Sequence, residues 1–180
     1  MKRILAIACL LASLAASAAT PIVGQKFPDN LNAPDATGKV RNLQSLMGQK
    51  GLALFFVRSA DWCPFCKGQL VDANRHLAAF RALGIEVASV SVDEVPPIAE
   101  FAKSQGIGYP MLSDPKGAIN ERLGIRDTQY PVGSSAFGVP RPTLYILDSS
   151  GRIRLLFQEP TFRTRPNLDA VIQDIRKLPL

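Results

Sequence analysis

The feature that most constrains the fold is a pair of cysteines between a buried strand and a helix. Residues 52–57 are continuously apolar, which is typical of a strand covered on both faces of a sheet. Cys63 and Cys66 follow, separated by two residues, and apolar residues then recur at spacings of three and four over 66–83. A CxxC motif between such a strand and such a helix predicts an α/β domain with both sulfurs at the helix start.

The rest of the chain continues the alternation of strands and helices. The patterns predict, in order, a strand at 85–92, a helix at 97–105, a brief strand at 110–112, a helix at 116–123, a β-hairpin within 141–157 and an amphipathic helix at 167–178. This order predicts an α/β fold with a central mixed sheet flanked by helices. Residues 21–32 read as an N-terminal extension of that fold.

The first 19 residues have the pattern of a secretory signal peptide. Lys2 and Arg3 precede an apolar run over 4–16, and small residues with an Ala-Ser-Ala cleavage pattern follow. The run is shorter than the roughly 20 residues that span a bilayer. We therefore predict a signal peptide over 1–19, with an uncleaved anchor as the alternative, and one mature domain over 20–180. That domain is expected to be periplasmic or secreted, without stable membrane insertion after signal removal.

Composition narrows the classes of function. The chain is 47% hydrophobic and 20% charged, as expected for a globular protein. Its net charge is +6, but the basic residues are spread along the chain and are not interleaved with aromatic ones. We therefore predict no nucleic-acid partner.

Three chemistries are open to the cysteine pair. Cys9 lies in the predicted signal, so the mature domain keeps only Cys63 and Cys66. A structural zinc site needs four ligands, and His76 is the only histidine, so we predict no metal. A disulfide that encloses two residues stabilises a fold little, which makes a structural staple a poor explanation. Redox exchange remains, and the position of the pair supports it.

A cysteine at a helix N-terminus is acidified by free backbone N–H groups and the helix dipole. Pro64 fits the first helical turn, where a missing N–H costs nothing. We expect Cys63 to face solvent and attack a partner, and Cys66 to point inward and resolve the mixed disulfide. No cofactor is predicted beyond a redox-active Cys63–Cys66 disulfide.

The motif WCPFCK resembles the thioredoxin-superfamily active site, and PRPTLYILDSSGRI resembles the second half of that fold. With the early APDATGK turn, residues 25–177 resemble the AhpC/TSA (peroxiredoxin-like) branch, which implies a thioredoxin-like redoxin domain. The resemblance implies that Pro142 is a cis-proline facing the dithiol, followed by Thr143. The backbone of Arg141 would then be free to pair with a substrate segment, and Trp62 would form a wall of the site.

The resemblance implies two possible activities, peroxide reduction and thiol–disulfide exchange, and the chain departs from the residue pattern of each. Ala60 and Phe56 stand where peroxiredoxins carry Thr and Pro, and their Arg position falls on Pro142. Leu54 stands where thioredoxins bury an acidic residue. We predict an exported thiol–disulfide oxidoreductase that acts on protein or small-molecule thiols and disulfides and is served by an upstream electron donor. The alternatives are a thiol peroxidase, with Cys63 peroxidatic and Cys66 resolving, and a non-catalytic binding module with an inert disulfide.

Two further interpretations concern groups around the dithiol. The proton-relay residue is left open among Asp61, Glu86 and Asp93. The basic segment 162–166 and His76 are interpreted as solvated surface.

Overall fold

The computed structural model describes residues 19–180, so the predicted signal peptide lies outside the described residues except for Ala19. The strands are β1 (Asn32–Pro34), β2 (Val40–Asn42), β3 (Gly51–Phe56), β4 (Ile85–Ser91), β5 (Met111–Ser113), β6 (Thr143–Asp148) and β7 (Ile153–Gln158). The helices are α1 (Leu43–Leu46), α2 (Pro64–Arg75), α3 (Leu77–Ala82), α4 (Val95–Gln105), α5 (Ala118–Arg122) and α6 (Leu168–Arg176). Within residues 19–180, no helix is both long and apolar enough to span a bilayer.

A five-stranded mixed sheet in the order β5-β4-β3-β6-β7 forms the centre of the domain. Strand β3 pairs in parallel with β4 and antiparallel with β6. The edge strand β5 is parallel to β4, and β7 is antiparallel to β6. The predicted mixed sheet flanked by helices, with its N-terminal extension, is therefore confirmed.

Strand β3 divides the apolar core into two layers, because successive side chains of a strand point to opposite faces. Ala53 and Phe55 pack with apolar residues of α2, α3, α4 and α6. Leu52, Leu54 and Phe56 pack on the other face with the N-terminal segment, α1 and α5. Both sulfurs belong to the first layer, so the cysteine pair is part of the domain core.

The helix predicted over 66–83 is interrupted at His76, which ends α2 and precedes α3. Its Nδ1 lies 2.9 Å from the Asp72 carbonyl oxygen, and its Nε2 lies 3.3 Å from Asp169 Oδ1 on α6. The interpretation of His76 as a solvated residue was therefore wrong: the side chain is half-buried and joins the end of α2 to α6. This contact involves residues 93 positions apart, which helical periodicity does not register.

Candidate active site

The cysteine pair lies at the start of α2, as the sequence predicted. Cys63 is the N-cap residue and Pro64 occupies the first turn. The two cysteines form a disulfide with their Cα atoms 5.2 Å apart. The Cys66 backbone N–H also points at Cys63 Sγ, 3.3 Å away. One N–H group of the helix start, which it shares with the Cys63 carbonyl oxygen at 3.1 Å, is thus directed at the sulfur that the sequence assigned as the nucleophile.

The expected exposure of Cys63 was wrong for this disulfide form. Cys63 is 2% exposed and Cys66 is fully buried. The neighbouring Trp62 and Phe65 are 44% and 43% exposed. The sulfurs are therefore much less exposed than these adjacent aromatic side chains, and the role of Trp62 as a wall of the site stays a prediction.

A buried carboxylate holds the turn that leads from β3 to the cysteines. Asp93 accepts hydrogen bonds from Ser59 Oγ and from the Ala60 backbone N–H, both at 2.6 Å, and from Ser91 Oγ at 2.7 Å. Ser59 Oγ in turn accepts from the backbone N–H groups of Asp61 and Trp62, at 2.9 and 3.0 Å. This network fixes the backbone immediately before Cys63.

The three carboxylates considered for proton relay have other roles or positions. Glu86 forms an ion pair with Arg81 at 3.1 Å, and the Asp61 side chain is exposed. The oxygens of Asp93 are taken up by the turn before Cys63. Within residues 19–180, none of these three carboxylates is hydrogen-bonded to either sulfur.

A buried arginine lies among aromatic rings beside the cysteines. The Arg58 guanidinium carbon lies 5.0 Å from the ring centre of Trp62, 5.1 Å from that of Tyr130 and 4.4 Å from that of Phe162. Its side chain is only 7% exposed, and its Nε atom has no hydrogen-bond partner in the described chain. Cation–π attraction therefore compensates for part of the cost of burying this charge.

A second arginine reaches the sulfurs from the loop between β7 and α6. Arg165 Nη2 lies 3.4 Å from Cys66 Sγ. In the same loop, the Phe162 ring packs edge-on against Phe65 with ring centres 5.8 Å apart. The interpretation of segment 162–166 as a solvated loop was therefore wrong for Phe162 and Arg165, which contact the active-site end of α2.

The structure places Arg141, Pro142 and Thr143 differently from the resemblance. Within residues 19–180 there is no cis peptide bond, so the Arg141–Pro142 bond is trans. The Arg141 backbone is not free, because its N–H donates to the Ile125 carbonyl at 2.8 Å and its carbonyl accepts from Thr143 Oγ1 at 2.8 Å.

These backbone contacts remove the predicted role of Arg141 in pairing with a substrate strand. Its side chain donates instead to the Gly124 carbonyl at 2.9 Å. Arg141 and Pro142 line one surface pocket with Phe162, and Thr143 is buried at the start of β6. Pro142 thus borders the site through Phe162.

The described residues offer sulfur chemistry at this site. Among residues 19–180, no group of three or more His, Cys, Asp and Glu side chains is arranged to hold a metal ion. A disulfide at a helix N-terminus, with one guanidinium on a sulfur and a second among the adjacent rings, suits two-electron thiol chemistry. The fold and the site define a thiol-based redox enzyme with a thioredoxin-like fold.

The family model of the AhpC/TSA family matches residues 23–156, and the chain belongs to that family. Peroxiredoxin Bcp of Escherichia coli K12 is 22% identical over 157 residues, which cover 87% of this chain and 97% of that protein. A peroxiredoxin of Aeropyrum pernix is 25% identical over 166 residues, which cover 89% of this chain and 63% of that protein.

Solved structures share the fold. The crystal structure of peroxidoxin BcpB from Mycobacterium tuberculosis has a TM-score of 0.74 at 22% identity, and the match covers 88% of this chain and 98% of that one. A C45S mutant of peroxiredoxin 6 of Arenicola marina has a TM-score of 0.76 at 19% identity, with 87% and 72% covered. Both likenesses concern the path of the backbone.

The contact between Arg165 and Cys66 has no signal in the sequence. Segment 162–166 is basic and contains one aromatic residue, which is an ordinary composition for a surface loop. The contact joins residues 99 positions apart, and no local pattern records it. Arg58 carried a weak signal, since it lies on the strand side of the CxxC motif.

Proposed function

We propose that this chain is a thiol peroxidase in which Cys63 is the peroxidatic residue and Cys66 the resolving residue. The Cys63 thiolate attacks the terminal oxygen of a peroxide ROOH, and the O–O bond breaks to give Cys63 sulfenic acid and, after protonation, the alcohol ROH. The Cys66 thiolate then attacks the sulfenic sulfur and expels hydroxide, which becomes water. Two electrons pass from the dithiol to the peroxide, and the product is the Cys63–Cys66 disulfide.

The observation that carries the proposal is the disulfide within one helical turn, in a chain of the AhpC/TSA family. Cys63 and Cys66 bond while α2 stays intact from Pro64 onward, so resolution requires no unfolding of the helix. The peroxiredoxin names of its relatives favour peroxide reduction over the disulfide exchange that the sequence ranked first.

Pro142 and Ala60 stand where peroxiredoxins carry Arg and Thr, so peroxide reduction by this chain needs another source of positive charge beside Cys63. Ala60 supplies no hydroxyl to a peroxide, and its backbone N–H is bonded to Asp93. The guanidinium groups of Arg58 and Arg165 surround the cysteine end of α2 instead. Cationic groups there favour the thiolate and stabilise negative charge on the departing oxygen.

Thiol–disulfide exchange is the second candidate, and the spacing of the cysteines favours it. Pro64 and Phe65 between the sulfurs keep the pair at the first turn of α2, which suits attack on a partner disulfide. Either reaction requires a thiol electron donor to return the disulfide to the dithiol. Export by the predicted signal peptide remains a prediction and would place that donor in an oxidising compartment.

Stopped-flow fluorescence tests the proposal, because Trp62 is the only tryptophan and adjoins Cys63. Reduced protein mixed with hydrogen peroxide should change fluorescence as the disulfide forms, with one peroxide consumed per disulfide. Cys63→Ser should lower the peroxide rate by about a thousandfold or more, because it removes the nucleophile. Cys66→Ser should react once and stop at a sulfenic acid that dimedone traps.

The controls separate the three functions. Wild-type protein that reacts with peroxide no faster than free cysteine, yet reduces insulin disulfides with dithiothreitol as donor, would instead be an exchange enzyme. A protein that does neither, and whose thiols titrate at ordinary values, would be the non-catalytic module.

A further inference from the structure

Among residues 19–180, Arg165 is the charged residue whose side chain makes a hydrogen bond to a sulfur of the dithiol. Its Nη2 atom lies 3.4 Å from Cys66 Sγ, and its Nη1 atom donates to the carbonyl oxygens of Phe162 and Thr164 in its own loop. The two loop contacts hold the guanidinium in one orientation. The Nη2–Sγ contact therefore joins this loop to the fully buried Cys66.

The loop that carries Arg165 is itself attached to the active-site end of α2. The Phe162 ring lies edge-on to Phe65 and also over the Arg58 guanidinium, 4.4 Å from its carbon. These contacts place the loop across the sulfur-bearing turn.

The charges around Cys66 are unbalanced while the cysteines are joined. Within residues 19–180, neither Arg58 nor Arg165 forms an ion pair with a carboxylate. Burial lowers the pKa of Arg165. The negative charge of Glu159 raises that pKa, and the positive charge of Arg58 lowers it further. Lys67 and Asp61 are the other charged groups near the cysteines along the chain. An anion at Cys66 would therefore attract the Arg165 guanidinium and offset part of its repulsion by Arg58.

We propose that Arg165 is a catalytic residue that stabilises the thiolate of Cys66 whenever the disulfide is opened or formed. When a donor thiolate attacks Cys63, a donor–Cys63 disulfide forms and the Cys63–Cys66 bond breaks. Both electrons of that bond go to Cys66, which leaves as a thiolate beside Arg165. A second thiol of the donor then releases Cys63. In the reverse direction, the same thiolate attacks the oxidised Cys63 sulfur. The inference deepens the proposed function, but the sulfur chemistry is common to peroxide reduction and exchange.

The pKa of Cys66 is the direct measure of this role. The background is Cys9→Ser with Cys63→Ser, which leaves Cys66 as the only thiol of the chain. Thiolate absorbance at 240 nm across pH should show a pKa about one unit higher in Arg165→Gln than with Arg165 present. Arg165→Lys keeps a positive charge and should recover about half of that shift. Arg75→Gln, an equal charge change at the far, exposed end of α2, should leave the value within a few tenths of a unit.

The redox equilibrium of the intact pair gives an independent reading. In glutathione buffers, Arg165→Gln should make the disulfide about tenfold harder to reduce, which corresponds to about 30 mV for a two-electron couple. If Arg165→Gln has the same Cys66 pKa and the same disulfide–dithiol equilibrium as Arg75→Gln, the proposed role of Arg165 is wrong. Neither measurement uses peroxide. The protein can therefore fail to reduce peroxide while the role of Arg165 is supported, or reduce peroxide while the role of Arg165 is contradicted. If Arg165→Gln does not fold by circular dichroism, Arg165→Met, which removes the same charge and keeps an apolar side chain, decides by the same two measurements.

Discussion

The two attachments of the dithiol differ in how they are built. On one side, the turn between β3 and α2 is held by the buried Asp93 carboxylate through hydrogen bonds of 2.6–2.7 Å. On the other side, the loop between β7 and α6 is held by the half-buried Phe162 ring and by the guanidiniums of Arg58 and Arg165. The first attachment consists of short hydrogen bonds among buried groups, and the second of aromatic and cation–π contacts near the surface.

This difference predicts which of the two attachments is disrupted more easily. A buried carboxylate with three donors is costly to disturb, because each donor left unpaired loses its hydrogen bond without gaining water. Aromatic and cation–π contacts at a partly exposed surface contribute less each. We therefore expect the turn before Cys63 to resist perturbation more than the aromatic contacts of Phe162, whose loosening would open the nearly buried Cys63 sulfur to a donor.

Removal of Asp93 should have the largest effect. Asp93→Ala leaves Ser59, Ser91 and the Ala60 backbone N–H without their acceptor, and we expect a loss of about 3 kcal/mol of unfolding free energy. Urea unfolding followed by Trp62 fluorescence measures it. Asp174→Ala is the matched control, because within residues 19–180 this half-exposed carboxylate pairs only with Lys177 and should change stability by about 0.5 kcal/mol or less. Equal losses in the two variants would remove the contrast between the attachments.

Truncation of Phe162 should have an intermediate effect on stability and a visible effect on access. Phe162→Ala removes the ring between Phe65 and Arg58, and we expect a loss of about 1–2 kcal/mol. The loosened loop should speed reduction of the Cys63–Cys66 disulfide by dithiothreitol severalfold. Phe162→Leu keeps apolar volume and should lie between Phe162→Ala and the wild type. A loss as large as that of Asp93→Ala, with no gain in reduction rate, would show that the loop is a rigid part of the domain.

The smallest effect is expected at the far end of α2 and depends on pH. The hydrogen bond to the Asp72 carbonyl raises the pKa of His76; burial opposes this, and the carboxylates of Asp72 and Asp169 add to it. Because the folded-state pKa lies above the unfolded one, the stabilisation is full below an unfolded value of about 6.5 and is lost as pH rises through the folded value.

We therefore expect His76→Asn to lower the free energy of unfolding by about 0.5 kcal/mol at pH 5.5. At pH 9 the loss of the His76 charge should not change that free energy. Urea unfolding midpoints measure both. The pH 5.5 difference should shrink in 1 M salt, since the Asp169 side chain is exposed. A loss of the same size at both pH values would assign His76 a packing role and leave the electrostatic link between α2 and α6 without support.

The sequence predicted the frame of the site well, because that frame depends on local patterns. The apolar run of β3, the CxxC motif and the repeat along α2 follow one another within about thirty residues. Each pattern reports on its own segment: a doubly covered strand, a helix N-cap at Cys63 and a helix face that includes Cys66. The mixed sheet followed from the order of these elements.

Most of the errors concern contacts between distant segments. The burial of Cys63 depends on neighbours that the motif does not specify, and the Arg141 backbone is engaged by Ile125. The trans bond at Pro142 departs from what the resemblance implied. Arg165 is the clearest case, since a basic loop residue became a contact of the buried sulfur.

By itself, the sequence determined that two cysteines begin a helix after a buried strand, because periodicity and capping are properties of neighbouring residues. Only the tertiary structure decided which charges surround those sulfurs. Loop 159–167 folds back across α2 through contacts of Phe162 and Arg165, and such contacts depend on chain segments about 100 residues apart.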